Sequence, residues 1–387
     1  MDFEPTADQV AVQDLARTIA RREFAESAFE RRHEYAAPSE NMRVLGDAGL
    51  LGISLPEEYG GSGQHEISAI LAIEEIAAVC PVTGDYAVLA MTGPASFIAA
   101  WGTEEQKRRY IPPVAAGTER FAISLSEPQA GSALTDLRTS ARIVGDTCVI
   151  KGQKTFCSAA VHADHFLVFV RFGPGTSGIG AVIVDRDTPG FTISGEHRHM
   201  SAAPWSELFF DDAEIPASQV LLDGNAFSKL MAAYSLERCG AGAYVLGVAR
   251  QSMDLAVRYA EERTQFGRSI SDFQFVQAAL SEMYLRMESA RLLVHRSIVR
   301  AANGLPSPLE SSAAKVAATE AACYITDTAM QLHGATGMSQ EMPLEWLYRV
   351  VRPYTVAGGT SDIHRSMIAS ALVGRRFDHR LPRTETT

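Results

Sequence analysis

The chain holds no cysteine pair two residues apart, and its five cysteines (Cys80, Cys148, Cys157, Cys239, Cys323) are an odd number. That argues against a disulfide framework and a CxxC-built zinc site, and it fits a reducing compartment such as the cytoplasm. There is no surplus of basic residues: the formal charge is −11, which disfavours nucleic acid as a partner. A local basic pocket would still be enough for an anionic ligand. No stretch approaches the ~20 uninterrupted apolar residues that a membrane span needs. The N-terminus, MDFEPTADQ, is acidic and lacks an apolar run, so no signal or transit peptide is expected. Nor is there an internal repeat, or a low-complexity segment beyond a polar tail at 379–387.

What is present is the composition of a large globular chain. It has 387 residues, 46% of them apolar and 21% charged, enough for two or three lobes around substantial cores. Residues 1–117 read as helical. Residues 7–34 carry apolar positions four apart, Ser39 starts a short helix, and a Pro- and Gly-rich loop spans 55–63. Buried helices then follow at 67–76 and 85–100, and Thr103-Glu-Glu-Gln106 is a capping-box pattern. From 118 to 226 the texture changes to short β-branched and aromatic runs with Gly, Pro and Asp between them: 147–151, 166–172, 179–185, 191–194 and 207–210. Their spacing predicts a compact antiparallel β domain. From 227 to 378 the period is helical again, with helices at 236–262, 273–302 and 311–334 and a fourth beyond Gly359. The expected class is α+β, in the order helices, sheet, four-helix bundle.

One stretch, Leu236 to Gly267, organises the rest. It opens on Glu237 and Arg238, closes on Arg263-Thr-Gln-Phe-Gly267, and keeps small and apolar residues at helical spacing between them. If it is one helix, its two ends lie roughly 39 Å apart at 1.5 Å per residue. Two functional ends that far apart would serve two copies of a site, so an oligomer is expected.

Five phrases, in order, resemble the acyl-CoA dehydrogenase family: Ser126-Glu-Pro-Gln-Ala-Gly-Ser132, Lys151-Gly-Gln-Lys154, Arg263-Thr-Gln-Phe-Gly267, Gln331-Leu-His-Gly-Ala-Thr-Gly337 and Gly359-Thr-Ser-Asp-Ile363. Each is weak alone, but five in register cover nearly the whole chain. The resemblance implies FAD as cofactor and α,β-dehydrogenation of an acyl thioester. A carboxylate takes the Cα proton, and flavin N5 takes a hydride from Cβ. Most of the family carries the base just before the Gly-Thr of the last phrase, where this chain has Gly358 after Ala357. The isovaleryl-CoA dehydrogenase type puts it in a Leu-Glu-Arg phrase instead, matched here by Leu236-Glu237-Arg238. A Glu at a helix start is ordinarily a partner of the dipole. The missing loop carboxylate turns the assignment of Glu237 towards catalysis.

The other roles carry over position by position. Leu125, Ser126, Phe156 and Ser158 resemble contacts to the flavin ring. Arg263 and Phe266, with Gln331 and Gly334, resemble groups that reach the FAD of a neighbouring subunit, and Thr360 and Asp362 resemble the loop at the adenosine end. Ser132, Arg238, Ala357, Gly358 and Gly359 resemble the substrate side. Gln265 and Asp362 depart modestly from the family pattern. Ser235 replaces a residue, usually Asp, that contacts pantetheine, which leaves both CoA and a carrier protein open as the thioester carrier. The family also implies a dimer of dimers and an electron acceptor such as an electron-transfer flavoprotein. Two rivals stand beside this reading: a flavin oxidase or hydroxylase of the same fold, and a non-catalytic partner subunit of a mixed oligomer.

Overall fold

The computed structural model describes residues 5–33, 35, 38–301, 303–375 and 377, so the polar tail lies outside the described residues. The N-terminal lobe contains α1 (Ala7–Ile19), α2 (Ala25–Ala28), α3 (Ser39–Asp47), α4 (Ile67–Ala77), α5 (Pro81–Thr92), α6 (Pro94–Trp101) and α7 (Glu104–Ala115). The capping box at α7 forms as its sequence predicts. Thr103 Oγ1 accepts from the Gln106 N–H at 3.2 Å, and Gln106 Oε1 accepts from the Thr103 N–H at 3.0 Å. The single helix expected at 85–100 is two. Gly93 leaves the helical region at φ −95°, ψ −140°, and Pro94 opens α6 at a position where its missing N–H costs nothing.

The middle of the chain forms β1 (Phe121–Ser124), β2 (Ser140–Val144), β3 (Thr147–Ser158), β4 (His165–Arg171), β5 (Ile179–Asp185), β6 (Phe191–Ile193), β7 (His197–Arg198), β8 (Pro204–Pro216) and β9 (Val220–Leu222). The main order is β6-β8-β3-β2-β4-β5-β9. The expectation of a wholly antiparallel sheet is corrected in one place. β1 runs parallel to β4, with Phe121 opposite His165 and Ser124 opposite Val168, and β2 meets β4 in parallel at Ser140 and Arg171. The remaining pairings are antiparallel. β4 and β5 are buried along nearly their whole length, as strands covered on both faces must be.

The C-terminal lobe is built from α8 (Phe227–Glu262), α9 (Gln274–Val299), α10 (Pro308–His333), α11 (Leu344–Val351) and α12 (Ser361–Val373), with a small hairpin, β10 (Thr264–Gln265) and β11 (Arg268–Ser269), after α8. Helix α10 packs on α8, α9 and α12 to complete the bundle. Helix α8 is 36 residues long and starts at Phe227, not near Glu237. Glu237 therefore sits about three turns inside the helix, beyond the reach of the N-terminal dipole. The small residues that follow it serve helix packing. A Cβ at Gly240 would meet Thr92 Oγ1 at 2.3 Å, one at Gly247 would meet Glu74 O at 2.4 Å, and one at Gly242 would meet Val294 at 3.1 Å. They bring α4, α5 and α9 close to α8. Two buried acids on α4 lock this junction. Glu75 pairs with Arg17 at 3.0 Å and Arg250 at 2.8 Å, and Glu74 pairs with Arg291 at 2.8 Å.

Candidate active site

Glu237 faces the loop Ala357–Gly359 that leads into α12. A Cβ added at Gly358 would stand 3.9 Å from Glu237 Oε2, 3.8 Å from Arg238 Cγ and 4.0 Å from Tyr234 Oη. The glycine thus leaves open the space in front of the carboxylate. Gly358 has φ +70° and Gly359 φ +102°, conformations that cost a glycine least. Three side chains hold the loop. Arg238 Nε donates to Gly358 O at 3.0 Å, His364 Nε2–H donates to the same oxygen at 3.1 Å, and Lys315 Nζ donates to Gly359 O. Because the Gly358 carbonyl can only accept, the neutral ring carries its proton on Nε2, and Nδ1 is left to accept from the Ser312 hydroxyl at 3.0 Å. Burial holds the imidazole down to about 3, so it stays neutral near pH 7. With the Gly358 carbonyl drawn away, the Gly359 N–H on the same planar trans peptide points the opposite way. Neither the Gly358 nor the Gly359 N–H has a described protein acceptor.

Glu237 Oε2 is buried and accepts no hydrogen bond among the described residues. Burial pushes the carboxyl up to about 7, the charges of Arg238 and Lys315 oppose this, and that of Asp85 adds to it. Arg238 makes no ion pair with its neighbour, being turned to the loop and lying 5.0 Å from the Tyr234 ring.

The residues expected beside a flavin ring gather at the ends of β1 and β3. Buried Lys154 donates to Leu125 O at 3.0 Å and pairs with Glu127 at 2.8 Å, while the Thr155 N–H donates to Ser126 O at 3.0 Å. Glu127 also accepts from the backbone of Arg138 and Thr139. Burial lowers the Lys154 ammonium to about 8, and Glu127 opposes this. Phe156, at an irregularity in the β3–β8 register, has φ +54° and is 57% exposed, its ring 4.4 Å from Trp205. That backbone conformation is uncommon for a bulky residue. Ser158 and Ser132 are exposed nearby in sequence.

The other expected contacts divide into two places. Thr360 caps α12, its Oγ1 accepting from the Ile363 N–H at 3.2 Å, and with Asp362 it lines a cavity of about 650 Å³ shared with Tyr324, Asp327 and Arg352. Arg263, Phe266, Gln331 and Gly334 are all exposed and lie at the far end of the bundle, where the Tyr259 and His333 rings stack at 4.2 Å and join α8 to α10. Phe266 is 93% exposed with φ +53°, and Arg263 forms no ion pair among the described residues. One chain therefore does not bring this group to Glu237. An exposed aromatic beside Trp205, a cavity at a helix start and an outward Arg are chemically suited to a flavin dinucleotide.

Three family descriptions match the chain in succession: "Acyl-CoA dehydrogenase, N-terminal domain" over 6–118, "middle domain" over 122–213 and "C-terminal domain" over 226–373. The chain belongs to the acyl-CoA dehydrogenase family. It is thus an FAD-dependent flavin oxidoreductase of the type that acts on CH–CH bonds. Among its relatives are an acryloyl-CoA reductase (NADH) of Anaerotignum propionicum, 34% identical and covering 97% of both chains, and a 3-sulfinopropanoyl-CoA desulfinase of Paraburkholderia xenovorans strain LB400, 36% identical over 98% of this chain and 99% of the relative. The butyryl-CoA dehydrogenase structure from Megasphaera elsdenii superposes with a TM-score of 0.92 at 30% identity, covering 96% of this chain and all of that one. No described helix is long and apolar enough to cross a membrane.

Sequence reasoning missed Lys315, Asp85, Tyr234 and Tyr354, which interact electrostatically with Glu237, along with His364 on the loop and the Tyr35–Tyr244 pair beside Asp85. Asp85 did carry a signal, being the one charged residue in the otherwise uncharged helix α5.

Proposed function

We propose that the protein dehydrogenates an acyl thioester between Cα and Cβ with Glu237 as the base. The observation that carries this is the buried, unpaired Glu237 Oε2, 3.9 Å from where a Cβ at Gly358 would stand. A carboxylate raised to about 7 is half ionised near neutral pH and strong enough as a base to be useful there. The α-proton of a thioester needs its enolate oxygen stabilised, and the free N–H groups of Gly358 and Gly359 are the donors in place, a term of ~3–4 kcal/mol per donor. Arg238, His364 and Lys315 act through the loop, fixing those donors before substrate arrives. FAD held there would supply the two-electron sink for the hydrogen that leaves Cβ. Leu125, Ser126, Phe156 and Ser158 would hold its ring, and Thr360 and Asp362 its adenosine end. Arg263, Phe266, Gln331 and Gly334 would reach from a second copy, which supports a dimer of dimers. Ser132, with Arg238 and Ala357, would line the thioester path, CoA or carrier protein serving as carrier. An electron-transfer flavoprotein would collect the electrons, in the cytoplasm. The test is anaerobic titration of the purified yellow protein with acyl thioesters. Bleaching of the flavin bands by at least one of them is expected, and bands unmoved by a full panel would end the reading.

A further inference from the structure

Beyond Glu237, the same side of α8 leads to a cluster that the dehydrogenation chemistry does not need. Tyr244 is seven residues on, two helical turns along and on the same face. Its hydroxyl lies 3.1 Å from that of Tyr35, which in turn donates to Asp85 Oδ2 at 3.1 Å. Tyr354, in the turn just before the Gly358 loop, donates to Asp85 Oδ1. The Tyr244 and Tyr354 rings are 5.0 Å apart. Asp85 makes no ion pair among the described residues, so an acid sits in the interior with only tyrosine hydroxyls for company. A carboxylate has about four acceptor positions, and two are filled. Tyr35 and Tyr244 are at most 1% exposed, whereas Asp85, Tyr354 and Glu237 all keep partial exposure. Asp85 adds to the upward push on the Glu237 carboxyl, and burial raises the Asp85 carboxyl itself against the pull of its two tyrosine donors.

We propose that Asp85, ringed by Tyr35, Tyr244 and Tyr354, is the floor of the acyl pocket and selects a short acyl group that ends in a hydrogen-bond donor, a hydroxyl or an amine. This deepens the thioester reading above and rests on it. An alkyl terminus would leave the two open acceptor positions of a buried carboxylate unmet. A site built around such a polar group rejects the analogue lacking its partner. An acyl group ending in an anion would meet like charge and is rejected more strongly. Tyr354 connects this floor to the loop that carries the enolate donors, so filling the floor also steadies the turn at 352–355.

The experiment uses FAD-loaded Glu237→Gln protein, which binds without turning over, titrated calorimetrically with hexanoyl-CoA, 5-hydroxypentanoyl-CoA, 5-aminopentanoyl-CoA and glutaryl-CoA. The first three have equal numbers of heavy acyl atoms. The hydroxy or amino thioester is expected to bind at least ~10-fold tighter than hexanoyl-CoA, with glutaryl-CoA weakest. Adding Asp85→Val should reverse the order in favour of hexanoyl-CoA. Asp85→Asn, which keeps shape and tyrosine contacts, should narrow the gap for the amine most, and it decides the matter if the valine variant does not fold. Equal affinities for hexanoyl-CoA and its hydroxy analogue would reduce the cluster to a packing element and overturn the proposal. If hexanoyl-CoA also bleaches wild-type flavin as fast as that analogue, the dehydrogenation reading survives alone. Binding of none of the four would overturn the proposal, while the dehydrogenation reading is decided separately by the flavin titration with thioesters on either carrier.

Discussion

Replacing Glu237 by Gln tests stability and chemistry in one variant. Lifting a carboxyl from 4.5 to about 7 costs the folded state about 3 kcal/mol once the pH exceeds 7. The sign follows from proton counting. Between 4.5 and 7 the folded chain still holds the proton and the unfolded chain has lost it, so stability falls as pH rises through that window and levels off above it. Gln carries no such charge. The Glu237→Gln protein should therefore match wild type near pH 4.5, grow more stable relative to it up to pH 7, and keep a constant advantage beyond. Thermal unfolding of both proteins across pH 4.5–8.5, at equal flavin content, measures this. The same variant should lose at least ~10²-fold in the rate of anaerobic flavin reduction by a good thioester, the low end for removing a general base. The wild-type rate should fall below about pH 7, where Glu237 takes up its proton. A variant that is reduced at the wild-type rate, with no stability gap at pH 8, would refute both the burial argument and the assignment of the base.

Lys154→Met should destabilise the fold by about 3–5 kcal/mol, because it strands the buried Glu127 carboxylate. It should also loosen FAD by freeing Leu125, as read by denaturant melts and flavin content, and an unchanged melt would count against the pair. Gly358→Glu would place a second carboxylate in front of the first in a backbone at φ +70°. Overpacking of ~1–3 kcal/mol is expected, felt more by branched thioesters than by straight ones, and faster turnover of branched substrates would contradict it. Arg263→Ala removes an exposed, unpaired side chain, so the fold should survive while flavin is lost on gel filtration. Full retention would remove Arg263 from the cofactor site.

The three-part course of the chain was readable because apolar period and stop signals are local. Thr103 and Gln106 cap their helix as their spacing says, and β4 and β5 lie where the β-branched runs lie. What failed was long-range or positional. The parallel pairing of β1 with β4 joins residues 44 apart at Phe121 and His165, and no local pattern encodes it. Gly93-Pro94 is a break that an apolar period runs straight across. The start of α8 was misplaced because Glu237 looks like a helix-opening acid, whereas the turn at Asp223-Gly224-Asn225 is the real punctuation. The site divided in the same way. Motif phrases named Glu237, Gly358 and Ser126, but the grip of Arg238, His364 and Lys315 on one loop depends on three separate helices. Likewise Lys154 meets Glu127 only because β3 passes the end of β1.

The length of α8 has a genetic consequence. One rigid rod carries Glu237 in its first third and Arg263 at its far end, and under the shared-site reading these belong to different centres. Damage to either end then spoils a different pocket of the assembly. Two defective chains, one bearing Glu237→Gln and the other Arg263→Ala, would complement each other when co-expressed. In a mixed pair, the Arg263→Ala chain keeps its base and borrows the intact arginine, restoring one whole centre, while the opposite centre inherits both lesions.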